Sequence, residues 1–182
     1  GSEAAASVRR YAPTGPGQWA KDFTVFASGL RNSMAFALAR DGVLQVENSI
    51  DIEDPAHPSD EINLLKAGRH YGWPYCVDMK SPAPGWAGTN AMDCNGGDYT
   101  KPVALLGPHS APLGMIWYDG AMFPELKDRL LVSLHGYRPA GARILAFAVD
   151  DARLPSGDAR DLTPDWDAKP GSRPRGSPVG MA

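Results

Sequence analysis

Apolar residues along this chain come in short runs, broken by glycine, proline, asparagine and aspartate. No stretch keeps a helical period for more than about two turns, so the pattern predicts strands throughout. The first strand is expected over residues 7–12, with Val8 and Tyr11 as its larger apolar groups, then a turn over 13–17 and a strand over 23–27. Residues 34–39 are almost continuously apolar, as suits a strand buried on both faces. Asp41-Gly42 is a hairpin signal leading into a strand over 43–48. A long loop over 49–59 follows, then a strand over 61–65 and a fourth over 102–106.

The same order then recurs. Residues 112–118 form a second apolar run, Asp119-Gly120 repeats the turn 78 positions after Asp41-Gly42, and strands are expected over 129–134 and 143–149. Residues 161–166 would be the outer edge, and 176–181 the beginning of a further inner strand. The chain is therefore all-β, and the repeated four-strand unit is its organising element.

Charge adds mainly exclusions. The 18 basic and 21 acidic residues are nearly balanced and no basic stripe tracks a phosphate backbone, which argues against nucleic acid as a partner. No apolar run is long enough to span a membrane, and the first ten residues lack the apolar core of a signal peptide. Cys76 and Cys94 are the only cysteines, so a multi-cysteine zinc site is excluded and there is no haem-attachment motif. They flank a loop rich in proline, glycine, asparagine and aspartate. A disulfide between them would stabilise the fold by about 3 kcal/mol in the chain-entropy model, the alternative being two unpaired buried thiols. If formed, it implies an oxidising compartment, periplasmic or secreted.

The most informative stretch is residues 28–74. It holds, in order, Gly29-Leu30-Arg31-Asn32, Glu47-Asn48-Ser49, Asp60-Glu61-Ile62-Asn63 and Tyr71-Gly72-Trp73-Pro74. This ordered set resembles the soluble glucose and sorbosone dehydrogenases, six-bladed β-propellers that carry pyrroloquinoline quinone (PQQ) and calcium. Blades of this type take roughly 40 to 50 residues, so the chain is too short for a ring of six. The resemblance implies a partial six-bladed β-propeller. Residues 7–27 would be outer strands of one blade, 28–106 a second blade, 107–168 a third, and 172–182 the start of the next inner strand. Where blades are missing, apolar faces and unpaired strand edges would form a surface for self-association.

The resemblance also implies roles. Arg31 and Asn32 would contact the quinone, and a guanidinium fork does suit a carboxylate or quinone oxygen; pairing with an acid at a blade junction is the alternative. Asn48 would supply an amide contact, and the backbone carbonyls of Ser49 and Ile50 would bind calcium, a hard cation that takes oxygen ligands. Glucose-type members show Gln-Gly-Pro where this chain has Asn-Ser-Ile. Asp51, Glu53 and Asp54 could add carboxylates, or form a solvated acidic loop. Asp60 corresponds to an acid that orients the catalytic histidine, or else caps a turn. Glu61 and Asn63 are expected to be structural, pairing across blades.

His109 opens the second inner strand at the position equivalent to Arg31, and His135-Gly136-Tyr137-Arg138 resembles a His-Gly turn of the sorbosone-type branch. Together with Arg173 and Arg175, these basic groups would bind the acidic quinone. The tryptophans are expected to pack. The family's histidine base comes from upstream of Gly-Leu-Arg-Asn, yet no histidine precedes Gly29. The implied reaction is hydride transfer from C1 of a sugar, or from an aldehyde hydrate, to PQQ with calcium assistance, electrons passing to an external acceptor. This chain alone is expected to be inactive. Two other readings stand beside it: a non-catalytic propeller that binds glycan or protein, and a calcium-dependent propeller lactonase.

Overall fold

The structure is a computed structural model that describes residues 5–164, 166 and 177–182. Its strands are β1 (Ser7–Gly15), β2 (Gln18–Ser28), β3 (Ser33–Ala39), β4 (Gly42–Glu47), β5 (Ser59–Leu65), β6 (Arg69–His70), β7 (Cys76–Val77), β8 (Ser81–Pro82), β9 (Ala104–Pro108), β10 (Pro112–Tyr118), β11 (Arg129–Leu134), β12 (Arg143–Val149) and β13 (Pro155–Asp161). They form two four-stranded antiparallel sheets, β3-β4-β5-β9 and β10-β11-β12-β13. These are the two complete blades the repeat implies. The β1-β2 hairpin forms a third sheet, to which the short β6 adds in parallel. The fold is a partial, unclosed β-propeller.

Several boundaries differ from expectation for identifiable reasons. The first Asp-Gly pair closes a tight hairpin with Ala39 opposite Gly42. The second opens a longer connection that carries a 3₁₀ turn, Pro124–Leu126, before Tyr118 pairs with Arg129. The outer strand of the second blade is Pro155–Asp161, not 161–166. Asp150 Oδ1 accepts the amides of Ala152 and Leu154, both at 2.9 Å, and so turns the chain back early. In the first blade the outer strand begins at Ala104, opposite Ile62; Pro102 has no amide to donate. The described tail, residues 177–182, forms no strand. The Val179 carbonyl instead accepts the Ser133 hydroxyl, and Met181 packs beside Leu126, Leu131 and Ala146.

The main core lies between the two blades. Leu44, Val46 and Ile62 from one sheet meet Met115, Leu130, Val132, Leu134 and Phe147 from the other. Ala35, Ala37 and Ala39 let β3 approach closely. The reverse face of β3 departs from expectation: Met34, Phe36 and Leu38 are exposed, Leu38 at 73%. Nothing in the described chain covers them, and Tyr11, Trp19, Phe23 and Val25 of the first hairpin are exposed as well.

Cys76 and Cys94 are disulfide-bonded across 18 residues, as expected, and pack with Tyr99. Among the described residues no helix is long and apolar enough to cross a membrane.

The two faces of β3 and its neighbours set contrasting costs. Leu130→Ala, which empties a fully buried site, is expected to lower unfolding free energy by about 2–5 kcal/mol. Leu38→Ala is expected to change it by about 0.5 kcal/mol or less. Urea unfolding of both variants checks the difference.

Candidate functional site

The Gly29-Leu30-Arg31-Asn32 turn is fixed from three sides. Gly29 has φ 72°, and a Cβ there would lie 2.3 Å from the His70 ring, so only glycine fits. Leu30 is buried with Ala27, Leu65 and Tyr71. The Arg31 and Asn32 amides both donate to Glu47 Oε1, the second at 3.0 Å. The Arg31 guanidinium is thereby held at the rim, where its Nη1 donates to the carbonyls of Ser49 at 2.6 Å and Asn48 at 3.1 Å. It also lies 5.7 Å from the Trp73 ring centre, a cation–π contact.

Asp60 joins the two blades. Its Oδ1 accepts the Ser49 amide at 2.7 Å, and its Oδ2 accepts the Ala111 amide at 2.7 Å and the Ser110 hydroxyl at 3.0 Å. The loop it grips is unusual, since His109 and Ala111 both have left-handed backbones, at φ 55° and 50°. Such residues persist where their surroundings over-determine them. The end of β11 then docks on this loop. His135 and Gly136 donate to the carbonyls of Ala111 and Ser110 at 2.9 and 2.8 Å. A Cβ on Gly136 would come within 2.3 Å of the His109 carbonyl, which explains the glycine.

These contacts bring Arg31, Asn32, Asn48, Ser49, Asp60, His109, His135 and Arg138 around one cavity of 390 Å³, within the size range of small-ligand sites. Asp51 and Tyr137 also line it. Ile50 is not among the lining residues, and Arg173 and Arg175 lie outside the described residues. Arg138 donates to the Ile52 carbonyl at 3.2 Å. His109 Nε2 lies 2.7 Å from the Asp54 carbonyl, which requires a proton on that nitrogen, and Nδ1 faces Asp51 Oδ1 at 3.4 Å. Asn48 Oδ1 is buried without a hydrogen-bond partner.

A larger hollow, 490 Å³, lies on the far face of the second blade among Ile116, Phe123, Leu126, Ile144 and Met181. It has little convergent polarity. Of the expected structural residues, Glu61 and Asn63 pair across strands within one sheet, opposite Glu47 and Gln45. Trp86 packs edge-on against Tyr75, and Trp117 donates to the Leu38 carbonyl at 2.8 Å.

Sequence reasoning gave Glu47 no role. A signal was present: β4 alternates Val43, Gln45 and Glu47 against Leu44 and Val46, which reads as a polar face turned to water. Here that face is buried. Burial pushes the carboxyl groups of Glu47 and Asp60 above the usual range despite their donors, and pushes Glu61 well above it, with the neighbouring Glu47 charge adding to the effect.

Residues 10–144 match the glucose/sorbosone dehydrogenase family. The chain belongs to that family. It is 27% identical over 139 residues to an uncharacterised protein of Borreliella burgdorferi, covering 69% of this chain and 35% of that one. The PQQ-bound aldose sugar dehydrogenase of Streptomyces coelicolor superposes with a TM-score of 0.55 at 19% identity, over 87% of this chain and 39% of that one. The calcium structure of a Trichoderma reesei enzyme of carbohydrate-active family AA12 gives 0.62 at 20% identity, over 88% and 48%. The chain thus spans less than half the length of each of these relatives.

The raised carboxyl groups fix a sign for pH dependence. A group that holds its proton more tightly when folded contributes stability at acid pH and loses it as pH rises through the raised range. Melting temperature is therefore expected to fall with rising pH above the ordinary carboxylate range, and Glu61→Gln to flatten that slope. Thermal unfolding in a pH series measures it.

Proposed function

We propose that this chain forms one wall of the PQQ site of a sugar dehydrogenase. The observation that supports it most is the convergence, from two adjacent blades, of Arg31, Arg138, His109 and His135 on one cavity also lined by Asn48, whose Oδ1 is buried without a partner. PQQ is a planar tricarboxylate with a ring N–H. Two guanidiniums match its carboxylates, and Asn48 Oδ1 is an acceptor in need of a donor. The residues fit the quinone.

Calcium is a different case. The Ser49 carbonyl expected to bind it is engaged by the Arg31 guanidinium at 2.6 Å, and a divalent ion there would face a fixed positive charge. The arrangement does not fit calcium at that carbonyl, and no step is assigned to the ion.

Bound PQQ would supply the oxidising power for removal of a hydride from C1 of an aldose or an aldehyde hydrate, with an external acceptor taking up the electrons. The residues of this chain bind and orient it. Arg31 and Arg138 neutralise its carboxylates at the rim, while Asp60 keeps the two halves of the rim in register. General-base work is not assigned to His109, whose Nε2 is engaged by the Asp54 carbonyl at 2.7 Å and whose Nδ1 has the Asp51 carboxylate 3.4 Å away. We place the base on other blades of the propeller, so the chain alone is expected not to turn over sugar. The disulfide supports a periplasmic or secreted location. The exposed stripe of Met34, Phe36 and Leu38 supports association of this face with further blades or a second copy.

Titration of the chain with PQQ, followed by calorimetry, tests the reading. Saturable binding that weakens with salt is expected, and Arg31→Ala or Arg138→Ala should each weaken it by about tenfold. Absence of saturable binding would overturn the proposal. Sustained dye-linked oxidation of glucose by this chain alone would contradict the placing of the base.

A further inference from the structure

Two acids face one another beneath the Arg31-Asn32 turn. Glu47 of β4 and Glu61 of β5 are cross-strand partners, 5% and 6% exposed, and no cation is ion-paired with either among the described residues. Their hydrogen bonding is lopsided. Glu47 Oε1 accepts the Arg31 and Asn32 amides, while Oε2 accepts Gln45 Nε2 at 2.6 Å and Ser33 Oγ at 3.4 Å. Glu61 receives the Asn63 amide at a long 3.5 Å and the Asp78 backbone amide.

A carboxyl surrounded by donors is stabilised as the anion, and its sparsely solvated neighbour as the acid. We propose that Glu47 is a positioning residue: its carboxylate, which accepts both backbone amides of the turn, fixes the backbone of Arg31 and Asn32 so that both side chains stay at the cavity rim. This rests on the reading of the cavity as the quinone site. Glu47 touches no ligand in this arrangement and acts through the turn alone.

The pair has a built-in limit. Loss of the Glu61 proton puts a second negative charge beside Glu47 in a buried setting, and like charges there repel strongly. The other titratable groups facing the pair are Asp78 and Tyr99, from the loop packed on this side of the sheet. Asp78 has His57 Nδ1 at 3.3 Å, and its carbonyl accepts the Tyr99 hydroxyl. Neither group supplies a cation to Glu61. Rising pH through the raised range of Glu61 should therefore loosen the turn.

The backbone amides of Arg31 and Asn32 report on this directly by NMR, without any quinone. In the wild-type protein both amide shifts are expected to show a common titration step above the ordinary carboxylate range. Glu61→Gln should abolish that step and leave PQQ affinity within about twofold, and Glu47→Gln should speed exchange of these two amides by about tenfold and weaken PQQ binding by a similar factor.

Two results would overturn the proposal. One is absence of the wild-type step, which needs no variant to fold. The other is a Glu47→Gln protein whose turn is loosened while its PQQ affinity stays at the wild-type value. Should wild-type protein bind no PQQ, the reading of the cavity fails, and the amide titration still decides whether the carboxyl pair holds the turn.

Discussion

Asp60 is 3% exposed and uses both carboxylate oxygens to bind segments that are far apart in sequence: the strand end at Ser49 and the loop at Ser110 and Ala111. On this one side chain the rest of the site depends. Apolar packing between the blades holds the sheets together, but it is non-directional and would tolerate a shift of the loops above it. The three hydrogen bonds of Asp60 are directional and charge-assisted. They hold the two left-handed residues of the 109–111 loop, and that loop in turn receives the end of β11 with His135 and Gly136. His109, His135 and Arg138 of the second blade reach the cavity through this sequence of contacts.

Glu47 does for the first blade what Asp60 does between blades. The cavity is lined by the guanidiniums of Arg31 and Arg138 and by the carboxylates of Asp51 and Asp60, and its shape is maintained by the hydrogen bonds of Asp60 and of Glu47 beneath the turn. This division follows from solvation. Long basic side chains can stay partly hydrated at a rim and remain available to an anion, whereas backbone amides that face inward need acceptors nearby. Raised carboxyl groups are the consequence of placing those acceptors in a dry interior.

Much of the fold was legible because strand length, Asp-Gly turns and their recurrence are local signals, and both four-stranded sheets follow them. Departures arose where a local side-chain turn was not recognised or where the deciding contact is distant in sequence. The end of the second blade was misplaced because Asp150 turns the chain, which only the bonds to Ala152 and Leu154 reveal. The apolar run 34–39 suggested burial on both faces, but hydropathy does not say whether a covering blade is at hand. Glu47 and Gln45 received no role from sequence, since polar alternation in a strand does not show that this fold buries both side chains among other polar groups. The ordered motifs pointed to Arg31, Asn32 and Asn48, and the blade repeat and the His-Gly turn to His109, His135 and Arg138; the structure gathers all six at one cavity. Their roles toward the quinone are inferred from that gathering.

The most direct test of the central claim is to map, residue by residue, where PQQ protects this chain from amide hydrogen exchange. Protection confined to residues 31–32, 48–49, 109–111 and 135–138 is the expected result, because two blades would be meeting one ligand. Protection centred on the apolar hollow around Ile116 and Leu126, or restricted to one blade, would contradict the account.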